Sequence, residues 1–264
     1  MNNISPIFLW VFGLAVIVLM WLASLVSVIL IISRTEHSLE QLSHIGDTFG
    51  AIHALFTGLA FVAVFITLYF QSKALKLTRE EIDIRSFETQ YFNFLKVHND
   101  IIQGIGKYKT VGGVHIKIEG RERMKELYAS MVRYYNNVYE QNPYEKPSEI
   151  INKSFKLFYN ENHHEIGHYL RHLYNIVKFV DNSTYPFHHK IIYLNLLRAQ
   201  LSSYELLLLF YNCLSDDGNR RLKPLVEKYS ILEAIPFDDL ISKKLDLEHE
   251  HESLYDEKAY GEKR

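Results

Sequence analysis

Two stretches, residues 7–33 and 48–70, contain no Asp, Glu, Lys or Arg, and almost every position in them is apolar. At 1.5 Å rise per residue they would be roughly 40 Å and 35 Å long as helices, against about 30 Å of bilayer hydrocarbon. The pattern predicts a transmembrane hairpin over 1–70, with helices at about 7–33 and 48–70. After Phe70 polar residues return without a Pro or Gly break. Apolar positions then recur at helical spacing at Leu75, Ile82, Tyr91, Leu95 and Ile102, which predicts a stalk helix over 71–103. Gly104 to Gly120 is Gly-rich with alternating Val, Ile and Lys, the pattern of a loop or a small hairpin turning at Gly112-Gly113. Later segments read as helices: Arg121 to Gln141, stopped before Pro143; Pro147 to Glu161; His164 to Val180; Pro186 to Leu214; and Arg220 to Leu232. The expected class is all-α, with an N-terminal two-helix transmembrane hairpin followed by a helical cytoplasmic domain over 104–242. Residues 243–264, charged and poor in apolar side chains, are expected to be a flexible tail.

Charge adds an orientation. The connecting loop has Arg34 among Glu36, Glu40 and Asp47, whereas Lys73, Lys76, Arg79 and Arg85 crowd the exit of the second span, so both termini are expected on the cytoplasmic side. "MNNISP" has no Lys or Arg and the apolar run after it is long, which favours a membrane helix over a signal peptide. One cysteine, Cys213, excludes an intramolecular disulfide. A net charge of −2 gives no global attraction to nucleic acid, so sequence-specific binding of it is not expected. The Gly-rich segment lacks the strand-then-helix context of a phosphate-binding loop, and no cofactor is expected.

Within the second span Gly46, Gly50, Ala54 and Gly58 recur every four residues, a spacing that lets another helix approach closely in lipid. This predicts packing against the first helix or self-association with a second copy. Asp47 at the mouth of the span and His53 inside it are polar groups at a costly depth. Each is either functional or, for His53, a neutral ring bonded to a neighbouring helix.

The sharpest chemical spelling is "HHEIGHYLRHLY". His164-Glu165-x-x-His168 puts two imidazoles one turn apart with a carboxylate between them, and Glu205 could complete a zinc site with Glu165 as general base. Periodicity offers a plainer account. Ile166, Tyr169, Leu170, Leu173, Val177 and Val180 form one apolar stripe, which leaves His164, His168, Arg171, Asn175 and Lys178 on the opposite face, as a solvated surface or a recognition face. Further on, Arg198 and Glu205 share a stripe with Leu194, Leu201 and Leu208, and buried charges require partners. They are expected in one polar network, with Arg171 or His168 as candidate members.

"IGDTFGAIHALFTGLAFVAVFITLYFQSKAL", "GRERM" (Gly120 to Met124), "GHYLRHLYNIVKFVD" and "LLRAQLSSYELLLLFYNCLS" together resemble the putative phage abortive infection family, over roughly residues 40–235. The resemblance carries over Gly46, Asp47, Phe49, Gly50, Phe56, Gly58 and Gln71 in the membrane part. In the soluble part it carries over His168, Tyr169, Arg171, Arg198 and Glu205. His53 departs from the Asn expected there. The resemblance implies an antiphage effector of the bacterial inner membrane, with no catalytic residues. A retron reverse transcriptase complex or a phage-derived trigger would be its partner. Two other classes stay open: a membrane-bound zinc metallohydrolase using His164, His168 and Glu205, and a non-toxic membrane scaffold.

Overall fold

The computed structural model of the chain describes residues 39–112, 114–245, 247 and 250–261, with some positions between 15 and 30. It divides into two compact units, Met1–Glu80 and Glu81–Arg264. Helix α1, Leu39–Gly104, begins in the first and ends in the second.

In the first unit the expected second span lies inside α1. Its apolar side chains stand exposed, among them Phe49, Leu55, Phe61 and Phe65. Among the described residues this is the one helix long and apolar enough to cross a membrane. The expected first span falls largely outside the described residues. Where positions between 15 and 30 are described they are helical, with the Ser24 and Ser27 hydroxyls donating to the Trp21 and Ala23 carbonyls at 2.8 Å. The described residues thus give one long apolar helix and no clear two-helix hairpin.

The second unit is helical apart from one small sheet. Strands β1 (Gly106–Val111) and β2 (Val114–Glu119) pair antiparallel from Gly106↔Glu119 to Val111↔Val114. Gly112 adopts φ +58° at the turn, a left-handed conformation that costs glycine little. Helix α2 (Gly120–Gln141) ends before Pro143, as its sequence predicts. Helix α3 (Pro147–Asp181) is continuous where two helices were expected. No Pro interrupts it, and Asn162 turns its amide onto its own helix, donating to the Phe158 carbonyl at 2.9 Å instead of capping a new one.

The expected helix from Pro186 to Leu214 is in fact two, α4 (Phe187–Arg198) and α5 (Ser203–Leu214). Ser202 and Glu205 form a capping box that starts α5 afresh. The expected helix from Arg220 to Leu232 is likewise divided, into α6 (Asp216–Arg221) and α7 (Lys223–Lys228). Pro224 sits in the first turn of α7, and Ser230 at φ +53° follows its end.

Helix α5 lies at the centre, with every residue from Glu205 to Tyr211 buried. Around it the core takes Tyr91, Leu95 and Ile102 from α1, Leu127 and Met131 from α2, Phe158 and Leu173 from α3, and Leu197 from α4. Burying each leucine side chain of Leu206 to Leu209 contributes about 1.5–3 kcal/mol.

The described part of the expected loose tail is packed. His251 is fully buried between the Tyr135 hydroxyl, 3.1 Å from Nε2, and the Tyr211 hydroxyl, 3.0 Å from Nδ1. Tyr255 donates to the Phe210 carbonyl at 2.6 Å, and the Leu232 amide donates to the Ala259 carbonyl at 3.1 Å. Charged residues between these anchors hid the few buried ones from a reading of composition. His251→Ala is expected to cost about 2 kcal/mol, because two buried tyrosine hydroxyls lose a partner. Chemical denaturation followed by near-ultraviolet circular dichroism would measure it.

Candidate functional site

Tyr169 and Glu205 come together with His98 where α1, α3 and the start of α5 meet. Glu205, wholly buried, accepts from the Ser202 backbone N–H at 2.9 Å and from the Ser202 hydroxyl on Oε2. Its Oε1 accepts from the Tyr169 hydroxyl at 3.3 Å and lies 3.6 Å from His98 Nε2. Arg121 Nε approaches Oε2 at 4.0 Å. Burial pushes the Glu205 carboxyl up, but His98 and the two Ser202 donors outweigh it and hold the carboxyl below the usual range. The result is a buried anion enclosed by donors. Tyr169, at 0% exposure, is raised well above its ordinary value by burial first and by Glu205 second.

One ring further out, His172 stacks on His98 with centroids 6.1 Å apart, and its Nε2 lies 3.0 Å from the Phe94 carbonyl. Burial lowers the His172 imidazole, the Phe94 carbonyl opposes that, and His98 adds a smaller lowering.

Arg198 and Glu205 do not share a network. Arg198 leaves α4 in another direction, pairing with Glu233 and donating to the Ser230 carbonyl at 3.0 Å. The break at 199–202 resets the helical phase between them, so the seven-residue spacing no longer places them on one face. Arg198 instead holds the left-handed turn at Ser230 against α4.

The zinc spelling comes apart in space. Glu165 is 8% exposed and receives a bidentate contact from Arg123, Nε to Oε2 at 2.7 Å and Nη2 to Oε1 at 2.8 Å. His164 touches Glu165 at 3.4 Å with most of its side chain in solvent, and His168 is exposed. Glu205 is engaged elsewhere, and among the described residues no group of three His, Cys, Asp or Glu converges to hold a metal. The helical stripe explains the segment. Ile166, Tyr169, Leu170, Leu173, Val177 and Val180 are buried, while His164, His168, Arg171, Asn175 and Lys178 are exposed. Gly167 is a close approach: a Cβ there would lie 2.8 Å from the Tyr159 hydroxyl.

In the first unit, a Cβ built on Gly50 or Gly58 meets nothing within 4 Å among the described residues. Asp47 and Ala54 are exposed, and Gly46 lies in the helix ahead of them. Thr57 donates its hydroxyl to the His53 carbonyl at 2.8 Å and lies 3.2 Å from His53 Nδ1. His53 is thus bonded within its own helix.

The segment carrying Tyr169, Arg198, Ser202 and Glu205 lies within the stretch that matches a known family. Residues 161–240 match the family described as putative phage abortive infection protein. No curated protein and no solved structure matches the chain. The abortive infection match supports a role in phage defence. It covers the part of the network on α3 and α5, whereas His98, Arg121 and Arg123 lie outside it.

Sequence reasoning missed His98, Ser202 and the Arg123–Glu165 pair. Ser202-x-x-Glu205 before an apolar run is a capping-box signature, so that signal was present. His98 and Arg123 meet partners far along the chain and leave no local pattern.

Proposed function

We propose that this protein is a membrane-anchored effector of abortive infection. Residues 1–70 form a two-helix hairpin in the bacterial inner membrane with both termini cytoplasmic. A trigger acting on the helical domain makes the hairpins reassociate, so that the membrane leaks and the infected cell dies before phage release. The observation carrying this reading is that α1 bears the exposed apolar span and continues into the unit whose residues 161–240 match the abortive infection family. The physical requirement is modest. Two hairpin arrangements differing by a few kcal/mol are switched by a partner whose preference for one of them exceeds that difference. Small residues at Gly46, Gly50, Ala54 and Gly58 supply the close helix contact that such reassociation needs.

The test is uptake of a membrane-impermeant dye, with a potential-sensitive dye alongside, in bacteria expressing wild type or the Gly50→Leu/Gly58→Leu double variant during phage challenge. Permeabilisation by wild type, abolished in a double variant that is expressed and inserted at normal levels, is the expected result. Undiminished dye uptake in the double variant would sink the packing mechanism.

A further inference from the structure

A cavity of about 370 Å³ opens beside the polar network, within the second unit. Phe92, half exposed, and the buried Leu95 and Ile102 give it an apolar wall from α1. Lys96 and Asn99 project from the same helix, and Arg121 enters from α2, held by its Nη2 donating to the Gln200 carbonyl at 3.1 Å. His98 also lines the cavity. It is 1% exposed, and neither of its ring nitrogens has a hydrogen-bond partner, the nearest approach being 3.6 Å from Nε2 to Glu205.

These features differ from those of a packed polar core. Buried imidazoles are ordinarily satisfied, and His98 has only the long Nε2 contact with Glu205 and nothing at Nδ1 among the described residues, so its ring marks a place at the cavity wall where a polar ligand atom would be stabilised. The charge at the mouth is positive. Among the described residues no ion pair engages Lys96, and Arg121 is 61% exposed in its side chain with only a distant contact to Glu205. Glu205 keeps its negative charge behind the wall, 4.0 Å from Arg121 Nε, and so offsets part of the charge on Arg121 while leaving that on Lys96 uncompensated. Two cations from different elements line one cavity, and a phosphate, with its several oxygens, can accept from both. The apolar wall beside them suits a flat ring.

We infer that this cavity is a binding site for a small organic phosphate, with the ring against Phe92 and the phosphate between Lys96 and Arg121. Binding here does not depend on how the membrane helices act. The network behind the cavity links such a ligand to α3 and α5 through His98, Glu205 and Tyr169.

The full-length protein in detergent offers a direct test, because its one native thiol, Cys213, is fully buried and burial pushes that thiol far above its ordinary value. Asn99→Cys places a reactive thiol at the cavity. Its labelling rates with 2-sulfonatoethyl and 2-(trimethylammonium)ethyl methanethiosulfonate are each divided by the rate on 2-mercaptoethanol. The normalised rate is expected to favour the anionic reagent about fivefold at low salt, and Lys96→Gln and Arg121→Gln should each reduce that preference. Phenyl phosphate at about 20 mM, above the roughly millimolar dissociation constant expected of so small a ligand, should slow labelling at least twofold. Inorganic phosphate should slow it less. Equal or cation-favouring rates, or labelling indifferent to phenyl phosphate, would overturn the assignment.

Discussion

Arg123→Ala is expected to destabilise the helical unit by about 3–5 kcal/mol, the cost of leaving a buried carboxylate without its counter-ion. Arg123 and Glu165 are 6% and 8% exposed, and the guanidinium grips both carboxylate oxygens while its Nη1 donates to Glu126 at 3.0 Å. Replacing both partners, as Arg123→Met with Glu165→Met, should cost less than Arg123→Ala alone, since no charge is then stranded. Thermal and denaturant unfolding of the full-length protein in detergent measures both. An Arg123→Ala variant within about 1 kcal/mol of wild type would show that the pair contributes little. Glu165→Gln, which would remove the general base of a zinc site, weakens the same pair. Loss of function in that variant would follow from a weakened α2–α3 contact, without any metal chemistry.

Glu205→Ala should cost about 3 kcal/mol, combining a lost helix cap with a Tyr169 hydroxyl left buried and unpartnered. Glu205→Gln keeps the cap, because glutamine also serves in a capping box, and should cost about 1 kcal/mol. Equal losses in the two variants would place the importance of Glu205 in its charge and not in its cap. The charge also sets a pH dependence. Burial raises both carboxyls, yet Arg123 for Glu165, and His98 with Ser202 for Glu205, hold them below the ordinary 4.5. A folded-state value below the unfolded one means that the stabilisation is fully present above the unfolded value. It is lost as pH falls through the folded values, so unfolding should steepen below about pH 4.5. Glu205→Gln should flatten that acid limb.

Much of the fold was legible because it rests on local rules. The apolar stripe of α3 and the stop of α2 before Pro143 follow from periodicity and from a ring that removes a backbone donor. The hairpin at Gly112 follows from glycine's freedom at positive φ. Elsewhere two local readings competed. The stretch from Pro186 to Leu214 reads as one helix because hydrophobicity masks the Ser202-x-x-Glu205 cap within it. Asn162 and His163 looked like a break, yet the Asn162 amide bonds back within α3. The site was half legible. Tyr169 and Glu205 stand in the family blocks, but their meeting with His98 depends on how α1, α3 and α5 pack, which no repeat along the chain encodes. His251 was hidden for the same reason, its partners Tyr135 and Tyr211 lying on α2 and α5.

The docking of residues 250–261 on that core also sets a schedule for biosynthesis. The apolar span of α1 leaves the ribosome long before His251, Tyr255 and Ala259 exist to close the domain. At typical elongation rates the interval is on the order of 10–40 s. A chain threaded into the bilayer would therefore wait with its soluble part unfinished. Its capacity to respond would be set by completion of that last packing step, and not by insertion.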